Sequence, residues 1–186
     1  MLIPKFNYQR DNCTGNVDAP VELIEYGDYQ CEYCAASMLV VKQLLVSSDL
    51  NIKFVFRNFP FASLHPLAIE AALVAEAAGL QGYFWEMHEM ILKNQKYLNR
   101  SSFNRFAEEI GIDIVSFDLD CQRKQLFQKV SSDFESGIRS GVSSTPTFFV
   151  NGLRYNGFDD YQSLYRICKY SIVSKEENQR QALLEV

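Results

Sequence analysis

The stretch from Val21 to Arg57 constrains the fold of this chain more than any other. Val21-Glu22-Leu23-Ile24-Glu25-Tyr26 is a short β-prone run ending at Gly27-Asp28, and it reads as a strand. From Cys31 to Val46, apolar residues at Cys34, Met38, Val41, Leu44 and Leu45 keep the 3–4 spacing of a helix that packs one stripe inward. Ile52 to Arg57 reads as a second strand, closed by Asn58-Phe59-Pro60. A strand, helix, strand unit nearly always makes a right-handed crossover between parallel strands.

From about Pro66 to Gly137 the pattern turns helical. His65-Pro66 precedes an alanine-rich helix ending at Gly79; Tyr83 to Gln95 follows; Ser101 leads Phe103 to Ile110, stopped by Gly111; and one run goes from Asp118 towards Gly137. Strand character returns at Thr147 to Val150, turns at Asn151-Gly152, a strong hairpin signal, and resumes at Arg154-Tyr155. Asp159-Asp160 can cap a last helix through Tyr170, and Lys175 to Arg180 is polar enough to fray. The simplest packing is an α/β mixed sheet flanked by helices with an all-helical insertion. The sheet domain then takes residues 15–62 and 138–173, the insertion 63–137 and a polar tail 174–186.

At 186 residues, 47% of them hydrophobic, the chain has about one domain's length and ample core on a prior of roughly 150 residues per domain. Its 18 basic and 23 acidic residues leave a net charge of −5, which argues against nucleic acid as a partner. The longest apolar stretch, Ala71 to Leu80, is interrupted by Glu76 and falls short of the roughly 20 residues a membrane span needs. The first ten residues carry neither the charged nor the apolar region of a secretory signal. The expectation is cytoplasmic as the sequence stands, and periplasmic if a leader has been removed.

Five cysteines are too few and too scattered for a disulfide scaffold, and an odd number leaves at least one unpaired. Cys31 and Cys34 form C-x-x-C; Cys13, Cys121 and Cys168 are isolated. Such a pair is either a zinc half-site or a redox couple. Zinc needs four ligands, yet there is no second C-x-x-C, and His65 and His88 have no metal-ligand spacing. The redox reading needs the first cysteine at a helix start after a strand, where orphan N–H groups and the macrodipole favour a thiolate. Asp28-Tyr29-Gln30-Cys31 occupies that turn. The spacing puts the second sulfur one helical turn on, within bridging reach.

Glu25-Tyr26-Gly27-Asp28-Tyr29-Gln30-Cys31-Glu32-Tyr33-Cys34, together with Gly141-Val142-Ser143-Ser144-Thr145-Pro146-Thr147-Phe148-Phe149-Val150-Asn151-Gly152, resembles the DsbA-like thiol:disulfide oxidoreductases of the thioredoxin superfamily. The likeness runs from about Gly15 to Tyr165 and includes His65-Pro66 and Phe84-Trp85-Glu86-Met87-His88. It implies a thioredoxin-like fold with an inserted helical domain. It also implies that Cys31 is an exposed nucleophile, Cys34 a buried resolving thiol and Glu25 a buried acid that moves a proton to or from Cys34. Val21, Leu23 and Glu25 share one strand face, although the pattern alone leaves open an acid that reaches solvent. Pro146 matches the family's cis-proline, which would present the Thr145 backbone to an extended peptide. Thr145, with Glu32 and Tyr33, is expected on the substrate-binding face.

The resemblance implies no cofactor beyond a Cys31-Cys34 redox disulfide, with protein or peptide thiols and disulfides as substrates and a further redox partner of unspecified identity. Oxidation, reduction and isomerisation all remain open. A thioredoxin-fold binding or chaperone-like module, or a metallochaperone using both sulfurs, are the competing readings. The best-known DsbA couple carries Pro-His between its cysteines; Glu32-Tyr33 supplies no imidazolium. Repulsion from Glu32 at about 7 Å and an effective dielectric of about 40 is about 1.2 kcal/mol, and the helix end offers about 0.3–2 kcal/mol the other way. The expectation is near-cancellation, which argues against strong oxidising power. Cys121 and Cys168 read as small core residues, Cys13 as lying in an extended arm, His65 as a helix-entry residue, and His88, Trp85, Met87 and Met90 as packing residues.

Overall fold

The protein is described by a computed structural model covering residues 1–157 and 160–184. Its strands are β1 (Asn12–Gly15), β2 (Val21–Gly27), β3 (Ile52–Asn58), β4 (Thr147–Val150) and β5 (Leu153–Arg154). They form one sheet in the order β1-β3-β2-β4-β5, with β2 and β3 parallel and every other pairing antiparallel. Helix α1 (Glu32–Leu45) joins the parallel pair. Between β3 and β4 lie α2 (Ala68–Leu80), α3 (Phe84–Lys93), a 3₁₀ turn at Gln95–Tyr97, α4 (Arg100–Ile110), α5 (Ile114–Asp120) and α6 (Lys124–Arg139); α7 (Tyr161–Leu184) follows β5. The expected mixed sheet with its helical insertion is the observed architecture.

Alternation along the strands divides the core. Val21 and Leu23 of β2 and Phe54 and Phe56 of β3 face α1 and α3, where Cys34, Met38, Val41, Leu44, Met87 and Ile91 are buried. Ile24, Tyr26 and Val55 point the other way, into a smaller cluster with Leu2, Phe59 and Val142. Each fully buried side chain of this kind contributes about 1.5–3 kcal/mol. On this second face the fully buried Arg57 holds Asp11 with two nitrogens at 2.9 Å and donates to the carbonyls of Pro4 and Lys5, fixing the N-terminal segment to the sheet.

Strand β1 was not legible: Asn-Cys-Thr-Gly has poor strand propensity, and its four residues are held as an edge by pairing with Phe56 to Lys53. The run expected from Asp118 to Gly137 is two helices, since Asp113 caps α5 by accepting from Ser116 N at 2.7 Å, and the chain opens at Cys121 before extended Arg123 restarts it. Gly137 is no stop. It lies inside α6, where a Cβ would come within 2.5 Å of the Phe59 ring, so its small size permits the helix to close on the sheet. Asp160 caps α7 by accepting from Ser163 N, the helix continues past the expected frayed segment to Leu184, and Asp159 lies outside the described residues.

Candidate active site

Strand β2 ends at Gly27, and four residues later Cys31 becomes the N-cap of α1 with extended backbone (φ −76°, ψ 119°) and no side-chain capping bond. Its carbonyl takes the first helical bonds from Cys34 N at 3.1 Å and Ala35 N at 3.3 Å, and the N–H groups of Tyr33 and Cys34 in the first turn also act on its sulfur. The Cys31 thiol donates to Thr145 O at 3.3 Å, in the loop ahead of β4, where the Thr145–Pro146 peptide bond is cis. Both Cys31 and Cys34 are free thiols.

Cys31 is 8% exposed and Cys34 0%. Their ranking agrees with the sequence reading, but Cys31 is nearly covered rather than open, with Thr145 O in contact with its sulfur. The expected near-cancellation also fails. Hydrogen bonding from the Cys34 thiol, then from the Thr145 side chain and the N–H groups of Cys34 and Tyr33, outweighs burial and lowers the Cys31 pKa to about 5. Glu32 is exposed and is not among the main causes. Burial, followed by the bond to Cys31 and the nearby Glu25, pushes Cys34 well above the usual thiol range. The two thiols are thus displaced in opposite directions, Cys31 down and Cys34 up.

Glu25 is 2% exposed, which closes the alternative of an acid reaching solvent, and Ser37 Oγ of α1 donates to its Oε1 at 2.8 Å. Tyr33, two residues after Cys31, is 67% exposed, Glu32 is exposed, and Thr145 and Pro146 are partly covered.

Three polar residues to which the sequence reading gave no role, Asp28, Gln30 and Gln95, hold the redox turn. Buried Asp28 donates its backbone N–H to Cys34 Sγ at 3.4 Å, while its carboxylate accepts from Gln30 N and Phe61 N, both at 2.7 Å, and pairs with His65 Nδ1 at 2.9 Å. Gln30 Oε1 accepts from Leu67 N at 2.6 Å. Gln95, in the turn after α3, donates to Tyr29 O at 2.9 Å and Cys31 O at 2.8 Å. Asp28 followed by Gln30 is a local Asx-turn signal that was readable; contacts across 64 residues, as for Gln95 and Cys31, have no spacing signature.

The remaining cysteines are apart from the couple. Cys13 lies in β1, half-buried with its pKa raised by burial; burial takes both Cys121, at the end of α5, and the enclosed Cys168 to about 12. His88 is packed among Tyr29, Phe56, Phe84 and Trp85, and burial lowers its pKa to about 3. Among the described residues no three His, Cys, Asp or Glu side chains gather as a metal site, and no helix is long and apolar enough to cross a membrane.

A family model described as thioredoxin matches residues 8–169. Among solved structures, a thiol-disulfide exchange protein, alpha-DsbA2 from Wolbachia pipientis, superposes with a TM-score of 0.78 at 23% identity, covering 86% of each chain. BdbD from Bacillus subtilis gives 0.75 at 21% identity over 89% of this chain and 94% of its own. A thioredoxin-like oxidoreductase from Silicibacter pomeroyi gives 0.76 at 23% identity over 90% and 93%. Among curated proteins, Na(+)/H(+) antiporter NhaA 1 of Salinispora arenicola is 39% identical over 155 residues, 83% of this chain but 24% of that protein. The chain spans about a quarter of the length of the curated relatives it matches. With the family match running through most of its length and the same fold recurring in these structures, the chain belongs to the thioredoxin family and has the DsbA-like form of its fold.

Proposed function

We propose that this chain is a protein thiol:disulfide oxidoreductase whose redox group is the Cys31-Cys34 pair. The observation that carries this reading is the opposite displacement of the two thiols: Cys31 down to about 5 and Cys34 well above its usual range. Near neutral pH the Cys31 thiolate attacks one sulfur of a substrate disulfide; that S–S bond breaks, and the departing sulfur leaves as a thiolate that takes a proton from water. Cys34 then gives its proton towards the Glu25 carboxylate, and its thiolate attacks Cys31. The second substrate sulfur departs, leaving a Cys31-Cys34 disulfide, so the substrate gains the two electrons the protein loses. The same steps run backwards when the protein oxidises a dithiol.

A stabilised Cys31 thiolate favours the reduced form and therefore makes the disulfide form a good oxidant, which supports the oxidising direction with protein or peptide dithiols as substrates. A separate redox partner regenerates the disulfide. The Thr145-Pro146 loop, with Glu32 and Tyr33 opposite, receives an extended substrate segment. Ion transport is not carried over from the antiporter relatives, of which this chain matches only a fraction. The test is equilibration in glutathione buffers of graded potential, followed by thiol mapping and an assay with a reduced protein substrate. The expected result is one two-electron transition at Cys31 and Cys34, with substrate disulfides formed in step. A couple that stays reduced throughout, without substrate oxidation, would favour a binding module instead.

A further inference from the structure

Gln95 belongs to the helical insertion, yet its carboxamide nitrogen is bonded to two carbonyl oxygens of the redox turn, Tyr29 O and Cys31 O. Tyr29 is 1% exposed, and its carbonyl has no other hydrogen-bond donor among the described residues. Such a buried acceptor left alone forces its peptide to turn in search of a partner. That peptide is the one leading to Gln30 and Cys31. The Cys31 carbonyl also receives Cys34 N and Ala35 N, so the amide of Gln95 adds a third donor to the oxygen that starts α1. One side-chain NH₂ thus covers the Tyr29 carbonyl, which has no other donor among the described residues, and ties it to the Cys31 carbonyl.

The rest of the turn is held from the same direction. Gln30 Oε1 takes the N–H of Leu67 just before α2, and Asp28 takes Phe61 N and pairs with His65 on the connection into the insertion. Segments at the start of the insertion therefore grip residues 28 and 30, and Gln95, further along, grips 29 and 31. Of these side chains, Gln95 alone bonds a backbone atom of Cys31, the residue that carries the nucleophilic sulfur.

We infer that Gln95 is a positioning residue for Cys31: its amide fixes the Tyr29 to Cys31 carbonyls and through them keeps the sulfur a stable thiolate, so that the helical insertion sets the redox potential of the couple. This rests on the redox reading above. It makes the insertion part of the active site, with one side chain as the point of control.

The experiment compares wild type with Gln95→Met, which keeps the length and loses both donors, and Gln95→Lys, which restores a donor. Cys31 pKa is read from the pH dependence of alkylation mapped by mass spectrometry, and potential from glutathione equilibration. Gln95→Met should raise the Cys31 pKa by about half a unit to one unit and make the couple more reducing, by up to about 30 mV for a tenfold loss of thiolate stability. Gln95→Lys should stay at or below the wild-type pKa. Gln95→Glu, similar in shape with an acceptor facing the carbonyls, should raise the pKa further and serves if Gln95→Met does not fold. Wild-type pKa and potential in Gln95→Met or Gln95→Glu, or an equal rise in Gln95→Lys, would overturn the assignment while leaving a wild-type couple that still cycles. A wild-type couple that never cycles would instead sink the redox reading.

Discussion

Cys31 Sγ lies 3.3 Å from the carbonyl oxygen of Thr145, a residue 114 positions later in the chain. Hydrogen bonding from the side chain of the same residue is among the causes that lower the Cys31 pKa. Thr145→Val keeps the branched shape and removes the hydroxyl. Its expected effect is a rise of about half a unit to one unit in the Cys31 pKa, visible as a shifted thiolate absorbance titration; an unchanged titration would assign the stabilisation to the helix start and Cys34 alone.

Stability of the reduced protein should depend on pH through Cys31. Its folded pKa, about 5, is depressed below the ordinary thiol value of 9.0, so the stabilisation is fully present above about pH 9 and is lost as pH falls through 5. Between these limits the reduced form should gain up to about 1.4 kcal/mol per pH unit relative to the disulfide form, which lacks the group. Cys34 has the opposite sign: with its folded pKa raised, its contribution is present below the unfolded thiol pKa and disappears as pH rises past it. Denaturant unfolding of both redox forms from pH 5 to 9 measures the difference, and parallel curves would contradict the depressed pKa.

Glu32→Gln should leave the Cys31 pKa within about 0.3 unit, because an exposed carboxylate is screened by water and salt. A fall near one unit would restore the repulsion that the sequence argument assigned to Glu32.

Asp11→Ala would leave the Arg57 guanidinium buried without its carboxylate. Breaking a buried pair from one side costs about 3–5 kcal/mol, and the loss should appear in the denaturation midpoint of the protein. A loss below about 1 kcal/mol would show that water reaches Arg57 once the N-terminal segment loosens.

The parallel pair and α1 were legible because apolar character writes itself locally: β2 is a short run rich in β-branched and aromatic residues ending at Gly27, and Cys34, Met38, Val41 and Leu44 recur at helical spacing. Sequence likeness located Cys31, Cys34, Glu25 and the Thr145-Pro146 loop, and the structure brings Thr145 to Cys31 and buries Glu25 on the Cys34 side of the sheet. Edge strand β1 escaped because β3, rather than its own residues, makes it a strand. The size of the Cys31 shift escaped because it depends on Cys34 and Thr145 donors whose geometry no charge count contains. Gln95 escaped for a related reason: a lone polar residue after a helix becomes meaningful only when folding lays it over two particular carbonyls.

The central claim is the division of labour between the two sulfurs, and trapping tests it most directly. Reduced Cys34→Ser and Cys31→Ser proteins are each mixed with a protein disulfide near neutral pH, and the products are separated without reductant and mapped by mass spectrometry. Cys34→Ser should accumulate a covalent complex through Cys31 that dithiothreitol releases, since attack can proceed and resolution cannot. Cys31→Ser should form none, because Cys34 is fully enclosed and protonated. A complex through Cys34, or through Cys13, Cys121 or Cys168 with Cys31 unmodified, would contradict the assignment of Cys31 as the nucleophile.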